Sequence, residues 1–138
     1  MRSIKAVVLG SIFIIVMMLF LQLAFMIVVV AYNYLAADYP VLNDIVGVFR
    51  YLVGIPVFML VMFVGGYVTA SLVDIPDNRR VWIHSFAVGA ITVTAMMYSA
   101  MSNFELTVTG LAVIVLAISA SSVGGFYWLK KAQIAITN

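Results

Sequence analysis

Cysteine is absent from this chain, and its absence removes several kinds of chemistry at once. Disulfide bridges, thiol nucleophiles and cysteine-ligated metal sites are all excluded. The only histidine, His84, has no carboxylate beside it in its segment, so the sequence predicts no metal site and no cofactor. A Ser/His/Asp set, an HExxH motif and a phosphate-binding glycine loop are also missing, and we therefore expect a protein that is not an enzyme.

Charged residues are scarce as well, and their scarcity indicates that the chain is surrounded by lipid rather than by water. Charged residues make up 9% of the chain, against about 25% in an average soluble domain. Apolar residues make up 66%, and the mean hydropathy is +1.22. The formal net charge of +2 is too small to indicate a nucleic-acid partner. The composition predicts an integral membrane protein whose immediate partners are membrane lipids.

Four long apolar runs fill most of the chain, at residues 6–35, 45–73, 82–102 and 106–129. Each reaches the ~20 residues that a helix needs to cross a bilayer, whereas barrel strands would be alternating segments of ~10 residues. The connections between the runs are short, so consecutive helices should be antiparallel neighbours. The sequence predicts an all-α membrane protein, with one transmembrane domain over residues 1–138 built as an up-and-down bundle of four helices.

Three residues give local signals about where these helices begin and bend. Asp77 and Asn78 precede the third run and are candidates for its N-terminal cap. Pro56 lies inside the second run, where it removes one backbone hydrogen bond and should kink the helix.

The basic residues predict the orientation of the bundle. Six of the seven fall before the first run, between the second and third, or after the fourth: Arg2, Lys5, Arg79, Arg80, Lys130 and Lys131. In a four-helix chain these three places share one side of the membrane, and basic short loops mark the cytoplasmic side. We therefore expect both termini in the cytoplasm. The first run is far longer than the about 7–15 apolar residues of a signal peptide, so we expect an uncleaved helix.

The second and fourth runs carry the same short pattern, Val-Gly-Gly followed by an aromatic residue, at 64–67 and 123–126. The repeat indicates two similar hairpins, although Gly-Gly is also common in membrane helices. Small residues recur every four positions around both patterns, and this spacing lets helix backbones approach closely. Packing within one chain is the simpler interpretation, and a face for a homo-oligomer or a larger membrane complex is the alternative. The predicted packing residues are Gly65, Gly66, Ala70, Ser121, Gly124 and Gly125.

Four polar residues inside or beside the apolar runs are candidate functional residues. Arg50 is costly at membrane depth, so it either reaches the interface and pairs with an acid, serves a relay with Glu105, or contacts a partner. His84 is expected to bond to headgroups or a neighbouring helix, with a pH-sensing role as the alternative. Gln22 can bond across helices. A cytoplasmic basic face, with anionic headgroups or a cytoplasmic partner as its contacts, comprises Arg79, Arg80, Lys130 and Lys131.

One stretch of the chain carries a resemblance. The second run ends in Gly-Gly-Tyr-Val-Thr-Ala (65–70), and a short Pro/Arg loop leads to Trp-Ile-His-Ser (82–85) and then Gly89. This stretch resembles small four-helix bacterial inner-membrane proteins that share a Gly-Gly-Tyr motif and have no assigned function. The resemblance implies a multi-pass protein of the bacterial inner (cytoplasmic) membrane, and it supplies no activity and no site residues.

Two functions are compatible with this sequence. The first is a structural or accessory role through helix-to-helix association with itself or with a larger membrane complex. The second is a small oligomeric transporter or channel for an ion or small solute, built around Arg50, Glu105 and the Ser/Thr face of the fourth helix. A stoichiometric larger partner would favour the first function, and ion flux from a closed homo-oligomer would favour the second.

Overall fold

The computed structural model describes residues 2–39, 50–73, 77–100 and 108–137, and nearly all of these residues are helical. The helices are α1 (Arg2–Asp38), a π-helical turn (Arg50–Gly54) that leads directly into α2 (Ile55–Val73), α3 (Asn78–Ala100) and α4 (Val108–Thr137). Four segments are long and apolar enough to cross a membrane: Ile4–Ala36, Leu52–Val73, Asn78–Met97 and Gly110–Ala135. The predictions of an all-α chain with four membrane-spanning segments are confirmed.

α1, α3 and α4 extend beyond their apolar runs, whereas the described part of α2 ends with its run at Val73. α3 begins at Asn78 rather than at Trp82, and α4 continues to Thr137 rather than ending at Leu129. The added residues include Arg, Lys, Ala and Gln, which are good helix formers. Hydropathy finds the part of a helix that suits lipid, whereas backbone hydrogen bonding continues into the polar ends. The predicted residues 45–49, 101–102 and 106–107 lie outside the described ranges.

Asp77 caps α3. The backbone N–H of Arg79 donates to Oδ1 of Asp77 at 3.2 Å, which satisfies one of the free donors in the first turn. Nε of Arg80 lies 3.6 Å from Oδ2 of the same carboxylate, and both side chains are about half exposed or more. The cap prediction is confirmed for Asp77.

The π-helical turn lies directly before Pro56, which is the second residue of α2. Proline has no N–H to donate to the carbonyl four residues earlier, and its ring clashes with that carbonyl in a regular α-helix. A wider π turn is a common way to absorb such an irregularity. Pro56 therefore coincides with a local change of helix type at the entry to α2, and the kink stays a prediction.

Contacts between the helices define an up-and-down topology. α1 and α2 are antiparallel, since Gly10 faces Thr69 while Ile14 faces Gly65. α3 and α4 are likewise antiparallel, because Val81 contacts Gly125 while Gly89 contacts Ile118, its ideal Cβ position lying 3.2 Å from Cα of Ile118.

The core of the bundle lies between α2, α3 and α4. α2 and α4 make the most extensive contact in the described chain, and α1 packs on α2 and α3 without reaching α4. A central apolar cluster contains Ile14, Val61, Met62, Val88, Val93 and Ala117. A second cluster, toward the end that carries the basic residues, contains Ala70, Val81 and Leu129.

Candidate functional site

Two glycines bring the backbones of α2 and α4 into direct contact. A Cβ atom at Gly66 would overlap the carbonyl oxygen of Ser121, and a Cβ atom at Gly124 would overlap the carbonyl oxygen of Phe63. The arrangement is reciprocal, because each glycine meets the carbonyl three residues before the glycine of the other helix. We call this contact the glycine seam. It requires two residues without side chains, and the Gly-Gly pairs supply them.

Hydroxyl groups tie α3 into the glycine seam. Oγ of Ser121 donates to the carbonyl oxygen of Ser85 at 2.8 Å, and both residues are fully buried. Oγ of Ser85 in turn donates to the carbonyl oxygen of Gly66 at 3.5 Å. Gly125 leaves room for this hydroxyl, since a Cβ atom there would overlap Oγ of Ser85. Buried polar atoms from three helices therefore satisfy one another at a single level of the bundle.

The six predicted packing residues all make contacts within one molecule. Gly65 faces the side chain of Ile14 on α1, and Ala70 packs with Val81 and Leu129 in the cluster near the basic end. The remaining four (Gly66, Ser121, Gly124 and Gly125) form the seam and its hydroxyl contacts. Their small size is used for contact within one molecule, which leaves little of this set exposed for another copy.

Three further packing residues were not singled out from the sequence. Gly10 accommodates Thr69, Ser85 links the three seam helices, and Gly89 lies against α4. The spacing rule applied to α2 and α4 would have found them, because Ala6 and Gly10 are four residues apart, as are Ser85 and Gly89.

The candidate polar residues do not converge. Nδ1 of His84 is hydrogen-bonded to the carbonyl oxygen of Arg80 one turn earlier in its own helix, rather than to a neighbouring helix. Gln22 is exposed and makes no hydrogen bond within the part of the chain that the structure describes. Glu105 and the side chain of Arg50 lie outside the described residues. No shared site is therefore formed by the described members of this set.

Gln22 lines an apolar groove between α1 and the entry to α2. The groove has a volume of about 540 Å³ and is walled mainly by Met18, Leu21, Phe25, Val53, Val57 and Phe58. It opens where the π-helical turn replaces regular helix. The Gln22 amide is its most polar side chain, and it offers both a donor and an acceptor.

The described part of the bundle leaves most of the distal half of α1, residues 22–36, uncovered. Most of its large side chains are exposed, including Leu23 at 62%, Met26 at 68% and Val30 at 58%, whereas Tyr32 is partly buried. Gly10 and Val88 lie opposite each other in α1 and α3, which run parallel. Ala100 lies as many residues beyond Val88 as Gln22 lies beyond Gly10, so α3 ends about level with Gln22. At about 1.5 Å per residue, α1 continues for about 24 Å past that level.

Basic side chains share the other end of the bundle, which we call the basic end. Lys5, Arg79, Arg80, Lys130 and Lys131 are all exposed there. The contacts of Gly10 with Thr69 and of Val81 with Leu129 bring the start of α1, the end of α2, the start of α3 and the later part of α4 to this level. The four residues of the predicted basic face thus lie at the same end of the bundle, together with Lys5.

Nothing in the described ranges brings three His, Asp or Glu side chains together in a way that could hold a metal ion. Comparisons of the chain with protein-family models, curated proteins and solved structures find no match.

Proposed function

We propose that this chain is a non-enzymatic, multi-pass component of a bacterial inner membrane that acts by helix-to-helix association with itself or with a larger membrane complex. The distal half of α1 is the proposed contact surface. The observation that carries the proposal is the length of apolar helix that the bundle leaves uncovered, about 24 Å beyond the end of α3.

The groove beside this segment supports the same surface. An acyl chain can cover the apolar walls, but it cannot hydrogen-bond to the Gln22 amide. A transmembrane helix that carries a polar side chain covers the walls and also bonds the amide. Interhelical bonds of this kind contribute about 0.6–2 kcal/mol each. Gln22 is therefore the residue that favours a protein occupant over lipid.

The orientation that we propose has both termini in the cytoplasm. The basic end carries five exposed basic side chains in the described chain and one exposed carboxylate, Asp77. Positive charge in short loops is typical of the cytoplasmic side. The distal half of α1 then faces the outer leaflet and the external surface.

The absence of cysteine makes a direct test possible, because one introduced cysteine reports only its own position. Met26→Cys places a thiol in the distal half of α1, and Val123→Cys places one on the exposed face of α4 at 57% exposure. We expect cross-linking in native membranes to trap Met26→Cys in a larger species and to leave Val123→Cys at the mass of one chain. Equal behaviour of the two variants would overturn the assignment of the surface.

A second measurement separates self-association from a larger complex. Gentle extraction followed by mass determination should give either a closed homo-oligomer or a stoichiometric complex with another protein. Gln22→Leu should lower the mass of either assembly, because it removes the amide without removing apolar area. A single chain in the untreated extract would contradict association of either kind.

The transporter or channel alternative gains no support from the hydroxyl groups of α4. Oγ of Ser119 donates to the carbonyl oxygen of Val115 at 2.8 Å, and Oγ of Ser122 donates to that of Ile118 at 3.0 Å. Both bonds lie within α4, and the Ser121 hydroxyl is used by α3. Ion flux through vesicles that contain the purified protein would nevertheless make transport the better proposal.

A further inference from the structure

The start of α3 and the later part of α4 are held together at the basic end by an apolar contact. Val81 and Leu129 are each about 1% exposed and share a cluster with Ala70. Arg80 precedes Val81 in the chain and Lys130 follows Leu129, so the contact holds one basic residue of each helix at the same level of the bundle. Arg79 and Lys131 lie one residue further out on the same two helices.

The first turn of α3 is electrostatically unusual. It contains two arginines and no acidic residue, although the N-terminal end of a helix carries partial positive charge and favours anions. Asp77 is the one carboxylate beside them among the described residues, and it already accepts from the Arg79 backbone and lies near Arg80. Within the described ranges, this partly exposed carboxylate balances only part of the charge of two arginines, two lysines and a helix N-terminus. The region therefore favours a further anion.

An aromatic pair lies one turn along α3 from these arginines. The rings of Trp82 and Phe86 are stacked, with centroids 5.5 Å apart and an interplanar angle of 17°. Both side chains are exposed, at 55% and 43%, and they belong to a segment that is apolar enough to cross a membrane. The stacked pair, which we call the Trp82–Phe86 plate, presents an apolar surface near the cations, and tryptophan typically lies where a membrane meets its headgroups.

We propose that the basic end of α3 and α4 binds the phosphate of an anionic phospholipid, with the Trp82–Phe86 plate against its acyl chain. Arg79 and Arg80 supply planar, forked donors that match phosphate oxygens in pairs. Lys130 and Lys131 add charge from the second helix. Basic surfaces between transmembrane helices are a recognised way to bind acidic headgroups. The inference does not depend on which partner covers the distal half of α1.

Tryptophan quenching tests this site directly. Trp128→Phe leaves Trp82 as the only tryptophan of the chain. This protein would be reconstituted into phosphatidylcholine vesicles that contain a small fraction of either phosphatidylglycerol or phosphatidylcholine with brominated acyl chains. We expect brominated phosphatidylglycerol to occupy the position beside Trp82 at least about fivefold more often than its mole fraction gives, as one basic residue near the surface already contributes that much.

Two variants, one that keeps the net charge and one that lowers it away from the site, separate a site from general attraction. The double variant Arg79→Lys/Arg80→Lys keeps the charge and the insertion signal but loses the forked donors, and we expect it to lower the enrichment severalfold. Lys5→Gln removes one charge from the same end without touching α3 or α4, and it should leave the enrichment unchanged.

Three outcomes would overturn the proposal. Equal quenching by the two brominated lipids would show that Trp82 contacts lipid without headgroup selection. If the enrichment falls in Lys5→Gln but not in Arg79→Lys/Arg80→Lys, the enrichment would come from the general positive charge of this end and not from a site. Loss of the enrichment when millimolar inorganic phosphate is added would assign the site to free phosphate rather than to a lipid. Monodisperse elution of each variant is the check that it remains folded.

Discussion

The glycine seam and the distal half of α1 are both strongly apolar, yet one is the most tightly packed region of the molecule and the other is the least covered. The seam contains glycines and serines at positions that face another helix. The distal half of α1 contains no glycine and is filled with Leu, Phe, Met, Ile and Val. In lipid the hydrophobic effect does not drive helices together, so side-chain size and hydrogen bonding decide which helices meet.

Whole helices follow the same rule. The segment of α1 is the most apolar of the four and has the smallest buried share, whereas the segment of α3 is the least apolar and has the largest. α3 buries Ser85, Gly89 and Thr92, which are small or polar, together with Val81, Val88 and Val93. Hydropathy therefore identifies the segments that enter the membrane, and small residues identify the faces that pack.

The largest expected effect follows from filling the glycine seam. Gly66→Ala or Gly124→Ala places a methyl group against a backbone carbonyl, which cannot move without shifting a whole helix. We expect a loss of about 3 kcal/mol in the free energy of unfolding, at the upper end of the usual range for overpacking. Reversible unfolding in mixed micelles measures it.

Gly54→Ala is the matched control for the seam variants. A Cβ atom at Gly54 meets nothing within 4 Å, so the same chemical change should be neutral or stabilising by up to about 1 kcal/mol. If Gly124→Ala has the same free energy of unfolding as Gly54→Ala, the backbones of α2 and α4 are not in contact. The contrast between the glycine seam and the distal half of α1 would then be wrong.

A smaller loss is expected for Gly65→Ala, although Gly65 is the neighbour of Gly66. The obstacle there is the side chain of Ile14, and its outer atoms Cγ1 and Cδ1 can adjust. We expect a cost of about 1–2 kcal/mol, limited by the full burial of Ile14.

Coupling between the two positions distinguishes a side-chain obstacle from a backbone one. Ile14→Val removes the Cδ1 methyl group, so the pair Gly65→Ala/Ile14→Val should be less destabilised than the sum of the two single changes. Additive losses would indicate that Gly65 also meets backbone.

The next effect in size concerns the hydroxyl groups that link α3 to the seam. Ser121→Ala removes the donor to the carbonyl oxygen of Ser85 and should cost about 0.6–1.7 kcal/mol in unfolding free energy. Ser119→Ala removes a hydroxyl of the same helix whose bond is local and exposed, and it should be nearly neutral. A larger loss for Ser119→Ala would reverse the assignment of these roles.

Much of this architecture could be predicted from the sequence, because membrane insertion depends on local composition. Run lengths predicted four helices, and the four-residue spacing predicted Gly66 and Gly124 as packing residues. The partners of these residues depend on the register between helices, which no local pattern contains. Ser85 and Gly10 carried the same spacing signal, but it was applied only where glycines are paired. His84 is hydrogen-bonded within its own helix, a contact that the sequence did not indicate, and its expected bond to headgroups stays a prediction.

The smallest expected effect on stability is in the distal half of α1. There we expect a change in assembly mass with almost no change in the free energy of unfolding. Phe25→Ala/Met26→Ala removes two exposed side chains that have apolar surroundings whether or not the bundle is folded. We expect the free energy of unfolding to change by less than about 0.5 kcal/mol, while the mass of the extracted assembly falls. Val123→Ala, on the exposed face of α4, should change neither the free energy of unfolding nor the mass of the assembly. If the double variant is destabilised as much as a seam variant, this half of α1 packs against its own bundle. It would then not be available as a contact surface for a partner.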